Sequence, residues 1–468
     1  MHEDICYLDA TELAGRIQAR DLSPVEVVEA HLERISAINP QINAVVTIAE
    51  NALENARIAE QAIMRGAAVG PLHGVPFTCK DTIDACGIRG TRGSKLFERR
   101  IAESDATAVS RLKQAGGIFL AKTNVAEFAL WWETDNRVFG RTNNPWNLDC
   151  IPGGSSGGEG AAIAAGLSPL GLGSDVGGSI RMPAHYCGIA GLKPTHGRVP
   201  LTGNWPDVLQ RAMHVGPLAR SVRDVALAVS LISGVDGVDP YCMPLAPPLA
   251  CATSDAPQRW RVGVVTEGAF APVDAEVQAV VEKAAAVLQT AGCIVEHIAL
   301  PVLEENDAQA VSAAVWAMET GYYFEPLVRG RESDLFPFMK KRLARPWPDV
   351  REYLNGLSRW EAIRYGMTQY FNVYDLLLCP TLPVPAYPHR LSELAIAGAT
   401  VAARRKLITQ VPWNLTGSPA LSVPFGFSSG GLPIGVQLVG RHFEETVVLQ
   451  AAMALEGAPG VPDKHPPL

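Results

Sequence analysis

An α/β fold with a largely buried sheet is what this chain of 468 residues predicts. Helical patterns alternate with short β-branched runs along its length, the arrangement that packs helices against a sheet. The runs near the C-terminus are apolar at nearly every position, as strands covered on both faces must be. No segment recurs at a fixed period, which sets repeat architectures aside.

The elements follow in order. Residues 23–39 read as a helix: Ser23 can cap it, Pro24 suits the first helical position, and Glu26 completes a capping box. Val27, Val28, Leu32 and Ile35 keep helical spacing. A strand over 44–48 and a helix over 51–65 come next, then an apolar run from Val75 to Cys79 that ends at Lys80. A helix over 105–115, a strand over 118–121 and a helix from Asn124 complete the first stretch. Residues 235–258 carry prolines at 240, 244, 247, 248 and 257 and read as a linker or long surface loop. The rhythm resumes with a strand over 261–265, a helix over 275–291 and strands over 293–298, 375–379, 420–423 and 434–439. Length alone would allow about three domains of roughly 150 residues each. The buried late strands favour one domain over 1–468, with a helical portion at 1–70 and a variable helical portion at 259–390 that shapes a pocket.

Composition excludes several classes. Hydrophobic residues make up 47% and charged residues 19%, an ordered and not a disordered balance. The net charge is −8, and no basic stripe exists to meet a phosphate backbone, so nucleic acid is not an expected partner. Arg99–Arg100 and the group Arg404, Arg405, Lys406 read as solvated helix surface. Nine cysteines, an odd number without a CxxC pair, build neither a disulfide nor a metal framework and fit a reducing compartment. The first residues are acidic where a signal peptide is basic, and no apolar window reaches about 18 residues. A soluble, cytoplasmic protein with no membrane partner is expected.

The segment PGGSSGGEGAAIAAGLSPLGLGSDVGGSIRMPAHYCG, residues 152–188, gathers Ser155, Ser156 and Ser179 among glycines. A short helix over 159–165 followed by a return strand over 167–172 would bring its two ends together, since about ten helical residues rise roughly 15 Å and about seven extended ones run back roughly 23 Å. Around Gly177 and Gly178 the backbone N–H groups from Val176 to Ser179 can converge on one point, the geometry of an oxyanion hole, with Ser179 opening a helix that has Pro183 in its first turn. A glycine-rich turn capped by serine accounts for the same letters. GGSSG is also a literal GxSxG, which would make Ser155 the nucleophile of an α/β-hydrolase elbow served by His389 or His442. GLGSDVGG lacks the strand and the acidic residue of a dinucleotide site.

The blocks GGSSGGEG, GSDVGGSIRMPA and GLKPTHGRV resemble the signature of the amidase signature family of serine hydrolases. GPLHGVPFTCKDTID at 70–84, AKTNVAEFA at 121–129, NPWN at 144–147 and LTGSPALSVPFGFSSGGLPIGVQLVGR at 415–441 extend the resemblance in the same order over most of the chain. It implies a large mixed central β-sheet covered by helices on both faces, and a Ser-cisSer-Lys triad. Ser179 would be the nucleophile, Ser155, behind a cis peptide bond, the proton relay, and Lys80 the base. Val176, Gly177 and Gly178 would form the oxyanion hole, and Ser156, Asp175 and Arg181 would brace the site. For Lys80 to act as a base, burial must lower its pKa by about three units, and Val75, Pro76, Phe77 and Cys79 supply an apolar approach. No cofactor comes with the resemblance, and no metal is expected because no histidine pair has ligand spacing.

By alignment with that family, Ala129, Leu130, Trp131 and Trp132 fall close to the acyl and leaving-group pocket. Core packing is the commoner reading of adjacent tryptophans, but tryptophans lining a pocket favour bulky or aromatic amides, with esters and carbamates as further small-molecule substrates. A rival within the family is the amidase component of a tRNA-dependent amidotransferase. Its members resemble GGSIRQPA where this chain has GGSIRMPA, and they carry an arginine-rich helix motif not found here. A pure binding module would lack Lys80, Ser155 or Ser179, all of which are present. Relatives are often dimers, which leaves a homodimer open.

Overall fold

The structure, a computed structural model, describes residues 2–244, 259–459 and 464–468. Strands β1 (Val45–Ile48), β2 (Pro76–Lys80), β3 (Ile118–Thr123), β4 (Leu170–Asp175), β5 (Ala190–Lys193), β6 (His214–Ala219), β7 (Arg261–Val264), β8 (Ile294–His297) and β9 (Leu376–Pro380) follow one another along the chain. A separate hairpin pairs β10 (Glu393–Ile396) with β11 (Ala399–Ala402), and β12 (Ala420–Phe427) and β13 (Pro433–Gly440) complete the set. Eleven of them form one sheet in the order β1-β3-β2-β4-β6-β5-β12-β13-β9-β7-β8. The sheet is mixed: β2 lies parallel to β3 and β4, and β7 parallel to β8 and β9, while the centre from β4 to β9 is antiparallel. Every residue of β2, β3, β4, β6, β9 and β13 is buried, as strands under helices on both faces require.

The expected capping box is present. Ser23 Oγ accepts from Val25 N at 2.9 Å while Glu26 accepts from Ser23 N at 2.9 Å, and the helix runs Pro24–Ile42 until Asn43 turns left-handed at φ 49°. Pro40 falls in its last turns without stopping it. The N-terminal portion is helical except for β1, which forms one edge of the sheet. Between 259 and 390 the chain contributes β7, β8 and β9 to the same sheet, along with the helices Ala308–Val328 and Val350–Tyr370. Of the proline-rich stretch, residues 235–244 contain neither helix nor strand, and 245–258 lie outside the described residues.

Three expectations are corrected. No α-helix starts at Asn124: a single 3-10 turn, Glu127–Ala129, follows β3, with Phe128 and Ala129 both at φ 57°. Asn124 Oδ1 instead accepts from Val125 N and from Asn136 Nδ2, so its side chain competes with the helix for the backbone. The return strand is β4, three residues later than expected, because Leu167 N still bonds Ala162 O at the helix end and Pro169 has no N–H to give a ladder. Lys406 is not on the solvated surface. It is buried on the 3-10 segment Ala403–Thr409, with Nζ donating to Tyr387 Oη and Ala403 O.

Candidate active site

Apolar β2 delivers Lys80 into the interior, where its side chain is fully buried. Its Nζ donates to Ser155 Oγ at 2.7 Å, to Ser174 Oγ at 2.9 Å and to Ser174 O at 3.2 Å. All three partners are neutral oxygens, so burial dominates over the more distant carboxylates of Asp175 and Glu159 and brings the amine down to about 7. Ser174 had no role assigned from the sequence; as the residue before Asp175 on a fully buried strand, it carries no local signal.

Ser155 follows a cis peptide bond from Gly154 and is completely buried. Several contacts hold its loop. Thr134 Oγ1 donates to Gly153 O and accepts from Gly157 N, both at 3.0 Å, and Ala126 N donates to Ser155 O at 3.3 Å. Gly154 has no room for a side chain, because a Cβ there would lie 2.8–3.0 Å from the backbone of Trp131, Trp132 and Glu133. The tryptophan pair is thus pressed by its backbone against the serine loop. Both rings are half-buried: Trp131 stacks on Phe338 at 4.9 Å, and Trp132 lies under Lys406 Nζ at 4.5 Å. Ala129 is buried and Leu130 half-buried beside them.

The helix Gly157–Ala164 leads from Ser155 to β4, and β4 leads to the turn carrying Ser179. Ser156 N donates to Ser179 O and Ser156 Oγ to Ser174 O, each at 3.3 Å, so the two serine segments are bonded to one another. Among the described residues no hydrogen bond joins Ser155 Oγ to Ser179 Oγ directly. Catalytic hydrogen bonds often tighten only once substrate is bound.

Asp175 shapes the turn. Its carboxylate accepts from Gly178 N at 2.7 Å and Ile180 N at 3.1 Å, from Arg181 Nη2 at 3.0 Å and Nε at 3.1 Å, and from Asn414 Nδ2 at 2.9 Å. Burial alone would raise this acid, but the Arg181 guanidinium and these donors outweigh it and hold Asp175 well below the usual carboxylate range. Since the Gly178 N–H is engaged by Asp175, it differs from Val176, Gly177 and Ser179, whose N–H groups meet no acceptor among the described residues. Arg181 is also satisfied by Gln410 O, Gln437 Oε1 and Asn414 Oδ1 from the late part of the chain.

From Ile151 to Cys187 every residue is buried except Gly177. Over Gly177 stands Trp316 of the helix Ala308–Val328, whose Cη2 would be 3.0 Å from a methyl group placed there. Gln410 packs as closely on Gly178. Trp316, Thr320 and Phe324 share one helical face, and Phe324 stacks on Phe128 at 4.8 Å. Sequence reasoning missed Trp316 and Gln410, and only the helical spacing Trp316–Thr320–Phe324 could have pointed to the first. His389 and His442, the bases of the elbow reading, are not partners of Ser155; His442 Nε2 bonds Thr416 O at 2.8 Å.

The arrangement offers a buried, readily neutral amine bonded to one hydroxyl, a second hydroxyl on the next segment, and free backbone donors around it. Groups in those places can move a proton between hydroxyls and receive an oxyanion. A family model described as Amidase matches residues 26–449. The Moorella thermoacetica component of a glutamyl-tRNA(Gln) amidotransferase is 37% identical over 478 residues, covering 97% of either chain. An acylamidase of Rhodococcus erythropolis is 35% identical over 485 residues, covering 99% of this chain and 98% of its own. A solved structure of a vestigial protein complex, described as revealing the origins of an s-triazine catabolic enzyme, superposes with a TM-score of 0.90. Its identity is 33%, over 96% of this chain and 98% of that one.

Proposed function

This chain belongs to the amidase family of enzymes that act on C–N bonds, and on that premise we propose that it hydrolyses an amide through an acyl-enzyme on Ser179, with Ser155 as proton relay and Lys80 as base. Ser179 Oγ bonds to the amide carbon and passes its proton to Ser155 Oγ, which gives its own to neutral Lys80 Nζ. The N–H groups of Val176, Gly177 and Ser179 receive the oxyanion, and Gly178 serves the turn through Asp175. The tetrahedral adduct collapses, the C–N bond breaks, and the proton returns through Ser155 to the leaving nitrogen. Water then attacks the ester by the same relay and releases the acid. The observation carrying this reading is the 2.7 Å contact between a sealed Lys80 amine and Ser155 Oγ.

Two readings of the substrate each have support. The aromatic surfaces of Trp131, Trp132 and Trp316 favour bulky or aromatic amides, with carbamates and esters presenting the same carbonyl to Ser179. The amidotransferase relatives favour glutamine, the chain then supplying ammonia within a complex. Both sequence features that spoke against glutamine lose weight. Met182 is buried in an apolar cluster with Tyr186, Leu382 and Tyr387, so its identity reports local packing. The short helix Pro337–Leu343 carries Lys340, Lys341 and Arg342, and Arg342 Nη2 donates to Thr320 Oγ1 at 3.4 Å while its Nε is sealed without an acceptor. A guanidinium on the Thr320 side suits a substrate bearing a carboxylate.

Purified chain assayed on an aryl anilide, a small aliphatic amide, an aryl carbamate and glutamine separates these readings. Preference for the anilide supports a free-standing amidase. Glutaminase activity that falls sharply in Arg342→Met supports the amidotransferase reading. Full activity of Ser179→Ala on every substrate would overturn both.

A further inference from the structure

Glu159, the acid in GGSSGGEG, is fully buried on the helix Gly157–Ala164 directly against β2, β3 and β4. Its carboxylate accepts from Thr78 Oγ1 of β2 and, at 2.7 Å, from Thr123 Oγ1 of β3. Gly171 of β4 completes the socket: a Cβ there would collide with Glu159 Oε1, so only glycine leaves space for the acid. Thr78 is two residues from Lys80 on the same strand, and Thr123 is the direct cross-strand neighbour of Lys80.

No arginine or lysine forms an ion pair with Glu159 among the described residues. Asp175, the other carboxylate acting on Lys80, is already engaged by Arg181, with His214 stationed behind it. Lys122 of β3 directs its amine to the carbonyls of Ile83 and Lys80, with Cys79 Sγ at 3.5 Å, and acts on Glu159 only through space. A buried carboxyl without a bonded cation is costly to ionise, so its charge state answers to small changes in its surroundings.

We propose that Glu159 is a positioning residue that tunes the base: its socketed carboxylate sets how tightly the Lys80 amine holds a proton. This rests on the role given to Lys80 above. Burial, opposed by the two threonine hydroxyls, raises the Glu159 acid to about 7, so it exchanges its proton in the same interval as Lys80. A charged Glu159 favours the ammonium form of Lys80, and a neutral one releases it.

The test follows labelling of the full chain by a fluorophosphonate probe, in which Ser179 Oγ bonds to phosphorus, fluoride leaves, and the serine proton passes to Lys80. Labelling rates are measured from about pH 5 to about pH 9, where a neutral base is required. Removing the negative charge in Glu159→Gln destabilises the ammonium, so the acid limb moves to lower pH, by roughly half a unit for a carboxylate that acts only through space. Thr123→Val, which keeps the acid but withdraws one donor from its ionised form, moves the limb the same way by less, and it decides the question should Glu159→Gln not fold. A limb that coincides with that of wild type in the folded variants, or moves upward, overturns the proposal and leaves Glu159 as a fastening between helix and sheet. Lys80→Met separates the two inferences. If that variant keeps the wild-type limb, the role of Lys80 fails; if it loses labelling while Glu159→Gln titrates as wild type, only the role of Glu159 fails.

Discussion

Asp175 and Arg181 are both completely buried and joined at 3.0 Å, and the same carboxylate takes the Gly178 N–H at 2.7 Å. The pair therefore does two things: it neutralises charge in the interior and folds the turn that presents Ser179. Asp175→Asn leaves Arg181 without its counter-charge and should cost about 3–5 kcal/mol of stability. Urea titration of the variant checks this, and a midpoint equal to wild type would contradict it.

Lys80→Met removes the amine while keeping an unbranched side chain only one atom shorter. Hydrolysis should fall by roughly 10³-fold or more. Stability should rise, because the folded protein holds this amine near 7 against an ordinary lysine value, so below that the unfolded chain binds a proton the folded one resists. The gain is fully present at neutral pH and below and shrinks as pH rises toward that of a free lysine. Paired activity and denaturation measurements at two pH values test both signs.

In wild type, turnover should climb with pH through an ionisation near 7, far below that of an exposed lysine. A pH–rate profile flat across neutrality would count against a neutral amine as base.

Burial holds His31 and His185 down at about 4. As pH falls, the unfolded chain takes up protons at these positions first. Stability is therefore whole above about 6.5 and is lost progressively toward 4, by at most about 3 kcal/mol per histidine. His31→Gln should flatten that acid loss, as read from denaturation midpoints at neutral and mildly acidic pH.

Trp316 lies over Gly177, the one unburied residue between Ile151 and Cys187. Trp316→Ala should raise KM for an aryl anilide by about tenfold, equivalent to a lost aromatic contact of roughly 1.4 kcal/mol, and change KM for a small aliphatic amide little. Equal effects on both substrates would place the ring outside the binding surface.

What could be read from the letters and what could not divides on physical grounds. The capping box at Ser23, the apolar run into Lys80 and the glycines of the Ser179 turn are local instructions, each complete within a few residues. The segment after Asn124 misled because its helical pattern is overruled by side-chain bonds from Asn124 to Val125 and Asn136. Lys406 misled because its neighbours are charged while its own position faces inward against Trp132 and Tyr387. Trp316, Gln410 and Asn414 reach the site from distant parts of the chain, and only tertiary packing brings them there.

The strands β12 and β13 occupy the middle of the sheet, between β5 and β9, although they are the last to be synthesised. During translation the two wings of the molecule wait with their inner edges unzipped until residues 420–440 leave the ribosome. Arg181 waits with them, since Gln410, Asn414 and Gln437 all arrive late. A transcript cut short near its 3′ end would thus yield no weakened hydrolase but two unsealed halves with bare strand margins, the kind of product that sticks to itself or is cleared by proteases.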